Sequence, residues 1–430
     1  MKTIIVRDIN TIVEALRSKP KETEQYRKAV KEIIADVHKN GDKAVKKWDK
    51  HFGKIPSNTN YNLRVSKAEI KAAYSNISKV NKTQIAAIKL AKKRLERSEA
   101  ALKSQLKNIT LKTNGLKITK LFVPLESVGC YIPGGAARYP STAVMAIVPA
   151  KVAGVKKIVV VSPPNKDGAI DLLTLVAADI CGVDEFYKTG GPQAISALTY
   201  GTESIPKVDK IVGPGSVFVT LAKSSVNETV SIDMIAGPTE LAIIADSSAN
   251  PDIVASDLIS QAEHSPHSVC CLITTSTKLK NDVIKSLKKQ IGKIKRQEFV
   301  KKSLKQGFIA ICKTESDVIE FANKFAPEHL EIITKNPQRI AQKITSAGLI
   351  LVGKNTPSSA SDYLLGSNHI LPTDGFARAR GSLGVLDFMK VHTQIETSKT
   401  ELQRISKYMK AFTAAEGLPN HYEAVRSRLK

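Results

Sequence analysis

The chain has 430 residues, 42% hydrophobic and 24% charged, a globular composition too long for one ordinary core, so two main lobes are expected. No run of about eighteen apolar residues occurs, and the N-terminus MKTIIVRDIN lacks the apolar stretch and cleavage site of a secretory signal, which argues against membrane and secreted classes and for the cytoplasm. The net charge of +25 raises nucleic-acid binding, yet residues 1–120 (29 basic, 11 acidic) and 271–310 (11 basic, 2 acidic) carry the excess, leaving the stretches with candidate motifs nearly balanced.

Taken in chain order, the first third reads as helices with lysines on a solvated face, as in LAKKRLERSEAALKSQLKN, and aromatic residues (5%) are too sparse to make a stacking platform. From about Lys156, β-branched runs alternate with helical stretches (KKIVVVSPP, DLLTLVAADICG, DEFYKTGG, PQAISALTYG, KVDKIVGPG), the rhythm of βαβ units with a parallel sheet. A second series starts near ELAIIADSS and runs through SVCCLITTS, GFIAICKT and HLEIIT to GLILVG. Residues 384–430 lack strand signals and read as helices, one from near Thr400 to before Gly417; such a tail cannot bury its own core and is expected to pack on another surface, such as a second subunit. The five cysteines (Cys130, Cys181, Cys270, Cys271, Cys312) form no CxxC pair and read as buried thiols.

Gly/Pro-rich turns follow several strand signals: Tyr131 to Gly135, Thr189 to Gln193, Gly213 to Ser216 and Ala236 to Thr239. At the carboxyl ends of parallel strands such turns can hold a dinucleotide, but they also serve tight connections with no ligand, and Gly213-Pro-Gly215 lacks the third glycine of the usual fingerprint. Six of eight histidines lie beyond residue 260. Gln261 and His264 are three apart at a helix end, compatible with a metal pair or with a capped terminus. Asp362, between small residues in SSASDYLLGSNH, suits a hard or borderline cation or an N-cap. Glu328 and His329 follow Pro327, where a turn or helix start could aim both into one cleft for acid and base work; a capping Glu beside a surface His is the alternative.

The stretches VGCYIPGGAARYPSTAVMAIVPAKVAGV, GGPQAISALTYGT, VDKIVGPGSVFV, IDMIAGPTELAIIAD, SDLISQAEH, APEHLEI, SDYLLGSNHILPT and AAEGLPNH, in that order, resemble the histidinol dehydrogenase family. The resemblance implies an α/β fold of two Rossmann-like lobes with incomplete doubly wound parallel sheets, plus helical terminal segments that pack in a dimer. It implies a helical arm over 1–25, a first lobe from 26–128 and 238–383 carrying the catalytic and metal residues, a second lobe over 129–237 on the NAD side, and a tail over 384–430 that enters the partner's site. The implied reaction is NAD-dependent, zinc-assisted oxidation of L-histidinol to L-histidine in two hydride steps. It further implies that Gln261, His264, Asp362 and His421 of the partner subunit hold one zinc ion per subunit, that His329 is the general base, and that Glu328 helps activate water. His369, Thr239 and Glu416 of the partner subunit fall at substrate positions, and Tyr131 and Gln193 at NAD contacts. Three departures stand out: Ser216 where the family has Asn, which affects an NAD contact, Thr239 where it has Ser, and Ile235 where it has Pro. His267, three residues past His264, could compete for metal or sit at the surface. The rival readings are a related dehydrogenase acting on another polar alcohol, and a nucleic-acid-binding protein on an enzyme fold.

Overall fold

A computed structural model describes residues 1–18, 23–134 and 138–430, so Gly135 and the middle of the expected 1–25 arm lie outside the described residues. The strands are β1 (Lys2–Ile5), β2 (Ile109–Thr113), β3 (Leu116–Pro124), β4 (Ser127–Tyr131), β5 (Lys157–Ser162), β6 (Glu185–Lys188), β7 (Lys210–Val212), β8 (Ser231–Ile232), β9 (Glu240–Ala245), β10 (Val269–Thr274), β11 (Phe308–Ile311), β12 (His329–Ile333), β13 (Leu349–Val352) and β14 (Met389–Thr397).

Two parallel sheets form the lobes, one in the order β6-β5-β4-β7-β8 and the other β1-β11-β10-β9-β12-β13. β1 apart, each starts at a central strand, walks to one side, then returns to the other, as in a half of a doubly wound fold. Runs such as KIVVVS and ELAIIA are apolar on both faces because helices cover both faces. The helix Pro140–Ala153 is buried over almost its whole surface, since the helix Lys82–Gln105 lays Ile88, Ala91 and Leu95 against its outer side.

That last contact corrects the expected domain division. The helices Thr23–Gly53, Lys67–Val80 and Lys82–Gln105 cover the five-stranded sheet, not the lobe formed by 238–383. An amphipathic stripe shows that a helix needs a cover and does not say which sheet supplies it. Nor is the start of the chain purely helical: β1 pairs in parallel with β11, adding an edge strand to the six-stranded sheet, and the helix Ile9–Arg17 follows it.

The tail differs as well. Before its two helices (Lys399–Ala415 and Pro419–Leu429) comes β14, which pairs antiparallel with β3 over nine residues, β2 completing a third sheet. In sequence β14 does alternate, Met389, Val391 and Ile395 on one face against Lys390, His392, Gln394 and Glu396 on the other, so the expectation of an all-helical tail missed a strand signal, although most of the strand is exposed. The two helices pack on each other and leave Tyr408, Phe412 and Leu418 exposed, along with Val391 and Ile395 of β14. All five cysteines are buried and free. Among the described residues no helix is long and apolar enough to cross a membrane.

The sheets present opposite ends to their shared seam. Tyr131, Gly190 and Gly213 follow the carboxyl ends of β4, β6 and β7, whereas Glu240 and His329 begin β9 and β12. At the seam the Thr142 hydroxyl meets His369 Nε2 at 3.2 Å and Asn368 donates to the Met145 carbonyl at 2.8 Å. Gly213 has φ 117°, and a Cβ there would lie 2.1 Å from the Tyr131 carbonyl oxygen. Gly213→Ala is therefore expected to cost about 3 kcal/mol, read as a lowered urea midpoint at unchanged slope; wild-type stability would show that the turn relaxes freely.

Candidate active site

The helix Glu315–Phe325 ends at Ala326 in a left-handed conformation (φ 49°), and Pro327 prevents its continuation. Glu328 and His329 thus enter β12 from a turn, at a strand start and not the start of a helix. The Glu328 carboxylate is buried, and its Oε2 accepts from the Thr239 hydroxyl (2.6 Å) and the Glu240 N–H (2.7 Å) where β9 begins. His329 lies alongside, Nδ1 3.8 Å from that same oxygen and 3.3 Å from the Glu240 carbonyl, with Nε2 3.1 Å from Asp362 Oδ1.

Because a carbonyl and an ionised carboxylate only accept, Nδ1 of His329 donates to Glu240 and Nε2 to Asp362, and Nε2 is the nitrogen whose proton titrates. Burial pushes Glu328 up to about 7, against the pull of His329 and its two hydrogen bonds. Burial alone would lower His329, but the carboxylates of Glu328 and Asp362 outweigh it and lift the imidazole to about 9. Burial likewise works to raise Asp362, and the His329 hydrogen bond and charge hold it below the usual carboxylate value. Glu328, His329 and Asp362 are thus tuned by one another.

Gln261, near the end of the helix Pro251–Ala262, is buried, and its Nε2 donates to the Thr239 hydroxyl at 2.6 Å. The Thr239 hydroxyl, expected at the substrate, is engaged on both sides: it accepts from Gln261 and gives its one hydrogen to Glu328. With its amide N–H engaged, the Gln261 side chain keeps its carbonyl oxygen as the atom a cation could take. His264 is exposed just past the helix end, near enough for its charge to act on Asp362 and His369. His369 donates from Nδ1 to the Asp362 carbonyl (2.7 Å), and burial lowers its pKa. His267 is exposed. Glu416 and His421 sit on the exposed tail, and among the described residues no hydrogen bond or ion pair of their side chains reaches this cluster. No three His, Cys, Asp or Glu side chains among the described residues come close enough together to hold a metal ion. One chain alone therefore brings together Gln261, Asp362, Glu328 and His329, with His264 near, and does not complete the four-ligand set.

Two features escape the sequence. Arg17 is clamped on both oxygens of the buried Glu240 carboxylate and on the carbonyls of Phe325 and Ala326, supporting from behind the residue whose backbone holds Glu328 and His329. Asp49, buried on the helix Thr23–Gly53, accepts through Oδ1 from Gln193 Nε2 (2.8 Å), the Thr189 hydroxyl (3.1 Å) and the Gly190 N–H (3.2 Å). The Gly191 N–H donates to the Tyr131 hydroxyl at 3.0 Å. Tyr131 and Gln193 thus belong to one network at the sheet's carboxyl edge, while Ser216 is exposed at the start of the helix Val217–Val226 and makes no side-chain cap. An acidic residue within an otherwise basic and aromatic helical run, KKWDKHFG, was the signal for Asp49.

The sequence profile described as histidinol dehydrogenase matches residues 16–429. The chain belongs to the histidinol dehydrogenase family. It is 44% identical over 407 residues to the enzyme of that name from Methanocaldococcus jannaschii, covering 95% of this chain and 93% of that protein. With the Clostridium acetobutylicum histidinol dehydrogenase it shares 44% identity over 413 residues, 95% of this chain and 94% of that one. The crystal structure of histidinol dehydrogenase from Elizabethkingia anophelis superposes with a TM-score of 0.92 at 36% identity, covering 100% of this chain and 98% of that chain. The two-lobed α/β fold is thereby shown, and the protein is an oxidoreductase of histidine biosynthesis.

Replacing Thr239 by Val removes the hydroxyl at constant shape, leaves Glu328 one donor short and releases the Gln261 amide. Turnover is expected to fall roughly 10–100-fold while Thr239→Ser stays near wild type, as steady-state kinetics will show. Burial pushes the Asp49 carboxyl up to about 7. A folded pKa above the unfolded one gives stability that is present below the ordinary carboxylate range and is lost as pH rises through 7. Between pH 5 and pH 9 wild type should lose on the order of 3 kcal/mol more than Asp49→Asn, measured by urea unfolding; parallel pH profiles would refute this.

Proposed function

We propose that the enzyme oxidises L-histidinol to L-histidine through L-histidinal, using two NAD molecules per turnover and one zinc ion per subunit, as a cytoplasmic homodimer with shared active sites. The observation that carries this reading is the buried Glu328-His329 pair, held against Asp362 and, through Thr239, against Gln261. Family membership over nearly the whole chain supports the choice of substrate.

The donor set fits zinc: an amide oxygen on Gln261, an imidazole on His264 and a carboxylate on Asp362, with the fourth place filled by His421 of the partner subunit. Zinc, when bound, supplies Lewis-acid polarisation and a fixed point for the substrate. Tyr131, Gln193 and Ser216 would hold NAD, which would supply the hydride-accepting chemistry that both oxidations need.

The chain's own residues handle the protons. His329 Nε2 accepts the proton released as the alcohol becomes the aldehyde, and must be uncharged to do so. Glu328, with a pKa near 7, takes a proton from the water that adds to the aldehyde, before the second hydride leaves. His369 and Glu416 of the partner subunit complement the imidazole and ammonium of the substrate. The exposed apolar residues of the tail, Tyr408, Phe412 and Leu418, supply the surface by which it docks on a second subunit.

The test is an assay of the zinc-loaded protein with NAD: two NADH per L-histidinol are expected, and turnover of another alcohol with none of L-histidinol overturns the reading. His329→Asn should lose roughly 100-fold or more in turnover while keeping its zinc, whereas His264→Asn and Asp362→Asn should lose zinc first. Mixing inactive His329→Asn with inactive His421→Asn and allowing subunits to exchange should restore about a quarter of wild-type activity, because half the dimers then hold one intact site. No recovery after verified exchange would place His421 in its own subunit's site.

A further inference from the structure

Each of three elements that carry the catalytic cluster bears a second polar residue one structural repeat away. On β12, Glu331 follows His329 by two and shares its face. On the helix Pro251–Ala262, Asp257 precedes Gln261 by four and shares its stripe. Ser358 precedes Asp362 by four, and the Asp362 N–H donates to the Ser358 carbonyl at 3.0 Å.

These second residues meet one another. The Ser358 N–H donates to Glu331 Oε1 at 2.6 Å, and the carboxyls of Glu331 and Asp257 face each other as hydrogen-bonding partners. Glu331 is 2% exposed, and its Oε2 has no N–H or O–H donor. A buried carboxyl oxygen opposite another carboxyl is satisfied by a proton between them, because two ionised carboxylates in contact without a cation repel. Among the described residues neither Glu331 nor Asp257 forms an ion pair, and no basic side chain figures among the influences on either. Burial raises both carboxyls above their ordinary range, Glu331 the further.

We propose that Glu331 and Asp257 share a single proton and clamp β12, the helix Pro251–Ala262 and the Ser358–Asp362 turn together, making them positioning residues for His329, Gln261 and Asp362. The positioning role rests on the function proposed above; the shared proton does not. The clamp works at a distance from substrate, through the spacing of the three elements.

Isosteric amides separate this clamp from a requirement for charge. In Glu331→Gln the new amide donates to Asp257 and keeps an acceptor for Ser358; in Asp257→Asn it donates to Glu331. Each variant is expected to bind zinc normally and to keep turnover within about threefold of wild type, whereas Glu331→Ala should lose roughly 10–100-fold in zinc affinity or turnover. Infrared difference spectra at neutral pH, wild type minus each amide variant and recorded without zinc or substrate, should show the carbonyl stretch of a protonated carboxylic acid, shifted in D2O. Loss of carboxylate bands alone, or amide variants as impaired as Glu331→Ala, overturns the proposal. An acid band in a wild-type protein that leaves L-histidinol untouched would instead refute the proposed function and retain the proton-sharing pair.

Discussion

The site depends on a single hydroxyl. Thr239 has one hydrogen to donate; giving it to Glu328 obliges its oxygen to accept from Gln261, so one atom fixes both the Glu328 carboxylate and the Gln261 amide. The adjoining residue extends the arrangement, as Glu240 donates its N–H to Glu328 and offers its carbonyl to His329. Its own carboxylate is neutralised from behind by Arg17, so the strand start does not bring an unpaired buried charge to the catalytic pair. Such an arrangement keeps reactive groups within reach of one another while burial tunes them.

Placement in the fold follows from two similar sheets used at opposite ends. The five-stranded sheet contributes the turns after its strands, the usual place for a nucleotide, and the six-stranded sheet contributes residues before its strands begin. The Thr142–His369 and Asn368–Met145 contacts join the two at that seam.

Much of this was legible in the sequence, unevenly. Apolar β-branched runs pointed to the two parallel sheets because strands buried on both faces carry few polar residues, whereas Glu328, His329, Gln261 and Asp362 were candidates with open alternatives until the family resemblance assigned them roles. Which lobe the helices of residues 23–105 cover was not legible, since that depends on shape between distant surfaces. β1 is four residues long and its partner β11 begins at Phe308, beyond the reach of local patterning. β14 was legible and missed: MKVHTQIET alternates apolar and polar residues at the period of a strand. Glu331 lay in plain view in HLEIIT: a carboxylate two residues after His329, in a strand otherwise apolar, requires a buried partner.

In the proposed zinc site one chain supplies three donors, and the fourth is proposed to come from His421 on the partner's exposed tail. Anomalous diffraction at the zinc edge, from crystals of the zinc-loaded protein, tests this most directly. The account predicts one zinc per subunit at about 2.0–2.2 Å from the Gln261 carbonyl oxygen, His264, Asp362 and the partner's His421. A peak away from Gln261 and Asp362, or a coordination shell completed within one chain, would contradict it.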